Sequence, residues 1–241
     1  MLPWRDLLHE GPVPAGLGPA ELARVRADHL GSLVGTDPER VHAELTERDA
    51  ALALAAAEPV EIALWFDHNL VNRLALLQVL DRLAELRGPR LPAVTLAEPR
   101  SFGGATADEL RALDTARNAV TAEQLDYARA AWAAFRSPHP TALLPYTSDG
   151  PLAGLGPALA RYLQQLPSEA DGLAGTERRG LVAVAAGARD FADIYRAVTA
   201  DDDPPWLGDT VLRSHLDRLR TGPRPLLQHD PAGGHRAFRR P

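Results

Sequence analysis

Apolar positions three and four apart run through most of this chain, and the stretches that break that spacing divide it. Leu22, Val25, Leu30 and Leu33 form one stripe and predict a helix over residues 20–34. Asp37-Pro38-Glu39 predicts a second helix to about Ala55. An Asp there can accept the first free amides, and Pro suits the first helical position. Residues 60–66 change the period to a short apolar run with Val, Ile, Trp and Phe, which reads as a buried strand. Helical spacing resumes over 69–86 through Leu70, Leu74, Leu77, Leu80 and Leu83, until Gly88-Pro89 stops it. Residues 91–96 read as a second buried strand. Strand, helix, strand is a βαβ unit, so the sheet is expected to be at least partly parallel.

Beyond Thr106 the pattern is helical over 107–114 and 121–136, the latter opened by the capping box Thr121-Ala122-Glu123-Gln124. Ser137-Pro138-His139-Pro140 interrupts it before another helix over 157–166, and the polar, glycine-containing stretch 168–175 reads as a linker. Three further helices are expected over 176–186, 190–200 and 208–220. Strand-like pieces at 224–228 and 236–238 then flank the turn Asp230-Pro231-Ala232-Gly233-Gly234. Three helices and a hairpin make a winged-helix arrangement. The first residues also look strand-like, as if the chain opened in mid-element. The expected fold class is therefore α/β and helix-rich. A domain over 1–168 has a small, mostly parallel sheet flanked by helices, and a winged-helix-like domain covers 173–241.

Composition narrows the chemistry. Hydrophobic residues make up 45% of the 241 and charged residues 24%, enough for one large domain or two small ones. A formal net charge of −6 argues against nonspecific nucleic-acid binding by the whole surface. There is no Cys, which excludes disulfides, zinc-thiolate sites and thiol nucleophiles. The basic residues are all Arg, as GC-rich coding favours. No apolar run reaches the roughly 18 residues of a membrane span, and Met1-Leu2-Pro3-Trp4-Arg5-Asp6 does not read as a signal peptide. A cytoplasmic location, no membrane contact and no cofactor are expected.

The strongest candidate chemistry is Asp67-His68, at the carboxyl end of the first strand. Ligands of α/β folds gather there, and an imidazole beside a carboxylate can act as a base near neutral pH. Neighbours on an extended chain point to opposite sides, so a plainer reading stands beside it: Asp67 caps the next helix and His68 is structural. Asp6, His9 and Glu10 end the strand-like opening and are expected to face the same crevice. His9, His68 and a carboxylate would make a facial metal site, but no metal-type histidine spacing supports one. Arg100, beside Ser101 and Gly103-Gly104, can hold a phosphate or carboxylate, or be occupied by Glu98. The catalytic candidates are thus Asp67, His68, Asp6 and His9, and the ligand-binding candidates are Trp4, Glu10, Asn69 and Arg100. In the tail, seven arginines from Asp209 onward face three aspartates. With Val211, Leu212, Leu216 and Leu219 packed inward, Arg213, Ser214, Asp217 and Arg218 would face a DNA groove. Arg213, Arg218, Arg220, Arg236 and Arg239 are the nucleic-acid candidates, although Asp217 sits in the middle of the reading face.

Three stretches carry a family likeness: Trp4-Arg5-Asp6-Leu7-Leu8-His9-Glu10-Gly11-Pro12-Val13-Pro14, Leu64-Trp65-Phe66-Asp67-His68-Asn69-Leu70, and Ala131-Trp132-Ala133-Ala134-Phe135-Arg136-Ser137-Pro138. Together they resemble the bacterial family called domain of unknown function 1835, and the tail resembles that family's C-terminal extension. The resemblance supplies no activity. It implies an N-terminal strand and Gly-Asp turn that this chain lacks ahead of Trp4. It also implies a run Asp-Leu-Tyr-Asp-Gln-Leu after the histidine, where this chain has Asn69-Leu70-Val71-Asn72-Arg73-Leu74. The functional expectation is a ligand-responsive or nucleic-acid-associated binding protein with a crevice for a small anionic ligand and a tail that contacts DNA or protein. The alternatives are a hydrolase or transferase on a phosphorylated or nucleotide substrate with His68 as base, and a degenerate, non-catalytic interaction scaffold.

Overall fold

In the computed structural model, which describes residues 1–86, 93–221, 225–229 and 238–239, helices dominate and a small sheet joins them. The chain divides into two units, residues 1–161 and 162–241.

The first unit begins with α1 (Pro19–Val34) and α2 (Pro38–Ala57). Gly35 ends α1 in the left-handed conformation (φ 68°), where only glycine sits without strain. Asp37 then caps α2 by accepting from the Glu39 amide. The two helices close on Ala23, Ala27, Leu30 and Leu45. Residues 1–18 form no strand, contrary to the strand-like reading of the opening. Their carbonyls are met by a side chain instead: Arg26 donates to the carbonyls of Leu7, Glu10 and Pro12. Main chain satisfied this way needs no ladder partner.

β1 (Ile62–Trp65) leads into α3 (Leu70–Glu85) and returns in β2 (Val94–Ala97), parallel to β1 with Leu64 opposite Leu96. The βαβ unit is as the pattern predicts; Gly88, Pro89 and the proposed start of the second strand lie outside the described residues. After α4 (Ala107–Thr115) comes β3 (Asn118–Ala119), which pairs antiparallel to β2. The sheet is therefore mixed, in the order β1-β2-β3, rather than mostly parallel. β3 left no hydrophobic signature because both its residues are exposed. Arg117 secures its approach by donating to Thr95 Oγ1 at 3.0 Å and Glu61 at 3.1 Å. The core lies between α3 and α5 (Ala122–Phe135), where Leu74, Leu77, Leu80, Leu83, Ala128 and Trp132 are buried. Thr121 and Gln124 form the expected capping box. A 3-10 helix (Pro140–Tyr146) occupies the interrupted stretch, and α6 (Leu155–Leu163) follows.

In the second unit the stretch read as a linker is an ordered turn, with Gly172 N–H on the Ser168 carbonyl at 2.8 Å. Then come α7 (Gly175–Ala185), α8 (Phe191–Thr199), α9 (Asp209–Arg220) and an antiparallel pair, β4 (Gln228–His229) with β5 (Phe238–Arg239). Val211, Leu212, Leu216 and Leu219 are buried, as their spacing predicts. Glu177 joins α7 to α9. Burial pushes its carboxyl up, but the nearby His215 ring, hydrogen bonds from the Ala174 N–H and Arg218, and the Arg218 charge outweigh it and hold the pKa at about 2. A carboxyl depressed below its ordinary 4.5 stabilises the fold above that value and loses the contribution as pH falls toward 2. Glu177→Gln is expected to remove on the order of 3 kcal/mol at neutral pH, and to cost far less at about pH 2.5. Denaturant unfolding at the two pH values checks this.

Candidate functional site

β1 ends at Trp65, and the next residues turn out of the sheet. The Phe66 amide still bonds to the Ala97 carbonyl at 3.1 Å, and the His68 amide bonds to the Arg100 carbonyl at 3.2 Å. The loops after the two parallel strands therefore run side by side, where sequence placed the crevice.

Asp67 is buried and fully engaged. Oδ1 accepts from the Asn69 amide at 3.2 Å and from Asn72 Nδ2 at 2.7 Å, and Oδ2 accepts from the Phe102 amide at 3.3 Å. The cap of α3 is not Asp67 but Asn69, whose side chain accepts from the Asn72 amide at 2.9 Å. Asp67 braces the cap and ties it to the loop after β2. The Asn72 amide donates to Asp67 where a carboxylate would repel it. Asn72→Asp is accordingly expected to lower stability by about 1–3 kcal/mol, less at pH near 3.5 where carboxyls protonate; thermal melts at the two pH values test this.

The organising residue of the site is one that motif reading passed over. Arg73, in the first turn of α3, is fully buried. Its Nε donates to the Asp67 carbonyl at 2.7 Å and Nη2 to the Phe66 carbonyl, while Nη1 reaches Glu98 Oε2 and the Ala153 carbonyl, each at 3.0 Å. One guanidinium thus binds the end of β1, the residue after β2 and the turn before α6. Glu98 pairs with Arg73 through Oε2. Arg100 is exposed. The sequence did carry a signal for Arg73. It lies three residues after Leu70 and four before Leu77, on the core stripe of α3.

His68 sits on this frame with its ring against Gly154. A Cβ at Gly154 would fall 2.5 Å from His68 Cγ, and its φ of 70° also demands glycine. Burial, and next the Arg73 charge, lower the imidazole pKa; the Glu98 charge, a hydrogen bond to the Glu98 main chain and the Asp67 charge oppose this without reversing it. Nε2 is buried and has no hydrogen-bond partner. The imidazole is therefore neutral near pH 7, and no carboxylate is bonded to it through Nε2.

Asp6, Trp4 and the α9 arginines have partners of their own. Asp6, 5% exposed, is bound by Arg26, 1% exposed, at 2.7 Å and 3.0 Å. His9 and Glu10 are buried in the turn that Arg26 holds. Trp4 donates to Gln78 of α3 at 2.8 Å, and Arg48 of α2 stacks 3.9 Å over its ring. Among the described residues no three His, Asp or Glu side chains gather as a metal site requires. On α9, Arg213 stacks 3.6 Å over Phe191, Arg218 donates to Glu177 at 3.1 Å, and Arg220 donates to Asp217 at 3.0 Å. Arg236 and the hairpin turn lie outside the described residues, as does the side chain of Arg239. No helix of the described residues is long and apolar enough to cross a membrane. No protein-family model, curated protein or solved structure matches the chain, so the site is read from its own geometry.

Proposed function

We propose that the chain is a ligand-responsive binding protein rather than a catalyst, and that the first unit holds a small polar ligand that donates a hydrogen bond to His68. One observation carries this reading. The charged groups at the ends of β1 and β2 are spent on the frame, while the neutral His68 ring keeps one nitrogen without a partner. A general base must reach the proton it takes, and Nε2 is covered, so the hydrolase or transferase alternative has less support. The altered run after His68 favours the same conclusion, because Asn72 and Arg73 both serve as locks. The chain is, on this reading, a diverged and non-catalytic relative of the domain of unknown function 1835 family.

The tail reading is a winged-helix-like module, supported by the order of three helices and an antiparallel pair. A protein partner suits it better than a DNA duplex, because Arg213, Arg218 and Arg220 already serve Phe191, Glu177 and Asp217. Phosphate binding would need those cations released.

Adenosine monophosphate serves as the first probe of His68, since it offers both donors and an anion. Saturable shifts of the His68 ring resonances, absent for the adenine resonances in His68→Ala, are the expected result. Nε2 is covered, so binding requires a local shift that the same spectra would report. Unmoved His68 resonances with this probe would sink the assignment, and a response to inorganic phosphate alone would contradict a neutral, accepting Nε2. Fluorescence anisotropy with a random duplex tests the tail; affinity falling steeply with salt would restore the DNA reading.

A further inference from the structure

A second locus, on α2, has an unsatisfied donor of its own. Val41, Glu44, Arg48 and Ala51 recur at helical spacing along one face of α2 and line a groove of about 410 Å³ closed on the other side by Leu2, Pro3 and Arg5. Arg48 is 6% exposed. Its Nε and Nη2 both donate to the same Asp49 oxygen, at 2.9 and 2.8 Å, and its guanidinium is pinned against the Trp4 ring. Nη1 is buried and bonds to nothing. A buried guanidinium donor without an acceptor is unfavourable. Arg48 is held too firmly by Asp49 and Trp4 to relieve this by turning away.

The lining states what would fit. The exposed Arg5 offers a donor to a carboxylate, and Arg48 Nη1 a second once a small shift of the exposed side chains around it uncovers it. Glu44 and Glu47 line the same groove and would repel a simple anion, but they complement an ammonium. Leu2, Pro3, Val41 and Ala51 supply an apolar wall. We propose that this groove binds a free aliphatic α-amino acid, its carboxylate on Arg48 and Arg5, its ammonium toward Glu44 and Glu47, and its side chain on the apolar wall. The site is separate from His68 and does not depend on the reading given there.

L-leucine is the probe. The full chain is titrated to about 10 mM, a range that captures millimolar affinity. The Trp4 indole N–H signal and calorimetric heat are followed together. Saturable binding is expected. It should weaken at least about tenfold, or 1.4 kcal/mol, for 4-methylpentanoate, which lacks the ammonium, and for isoamylamine, which lacks the carboxylate. Arg5→Ala and Glu47→Gln, both at the surface, should weaken it similarly with the fold intact, whatever Arg48→Gln does to stability. No saturable response to leucine overturns the proposal. So does binding that either analogue matches, or that Arg5→Ala and Glu47→Gln leave unchanged.

Discussion

Arg73→Met is expected to destabilise the first unit by on the order of 3–5 kcal/mol, the usual cost of breaking a buried charge pair from one side. Methionine fills much of the volume but meets none of the four acceptors at Phe66, Asp67, Glu98 and Ala153. Glu98 is partly exposed and regains water; the carbonyls at the end of β1 are the costly losses. Domains of this kind are stable by about 5–15 kcal/mol in total, so one substitution consumes much of the margin. Arg73→Lys should recover less than half, because an ammonium lacks the planar fork that reaches acceptors on three segments. Urea unfolding followed by tryptophan fluorescence measures both. A loss below about 1 kcal/mol for Arg73→Met would remove Arg73 as the organising group.

The second large effect concerns the opening segment, and it is an ordering. Arg26→Met should cost on the order of 3–5 kcal/mol, and Asp6→Asn clearly less, about 1–3 kcal/mol. Arg26 loses Asp6 and also the carbonyls of Leu7, Glu10 and Pro12, whereas Asp6→Asn leaves those three bonds in place. Limited proteolysis adds a local readout. Cleavage within residues 7–18 should accelerate in Arg26→Met before global unfolding does. Equal costs for the two variants would mean that the ion pair, not the carbonyl clip, holds the segment.

These two arginines show what the sequence did and did not disclose. Helices of regular apolar stripe were legible throughout, as were the caps at Asp37 and Thr121 and the parallel strand pair. β3 was invisible because two exposed residues carry no pattern, and the opening was misread because apolar residues beside Pro3 resemble a strand until their carbonyl partners are known. Arg26, Arg48 and Arg73 were legible in principle. Arg26 lies four residues from both Leu22 and Leu30, Arg48 three from Leu45 and four from Leu52, and Arg73 on the stripe of α3. A cation on a core stripe must be paired where it is buried, so each marked a site of tertiary contact. Arg48 meets Asp49 and the Trp4 ring, whereas Arg26 and Arg73 meet mainly main-chain carbonyls, which no motif records. That is why Asp67 and His68 were found as a place, while the group that shapes that place was not.

On the proposed reading His68 is a neutral recognition group on a frame completed by Asp67 and Arg73, not half of an acid–base pair. An NMR titration of the His68 ring tests it most directly. A midpoint below the ordinary histidine value of 6.5, set by burial and the Arg73 charge, with Nε2 unprotonated near pH 7, is the expected result. A midpoint above 6.5 would mean that a carboxylate stabilises the imidazolium, and would return the site to acid–base catalysis.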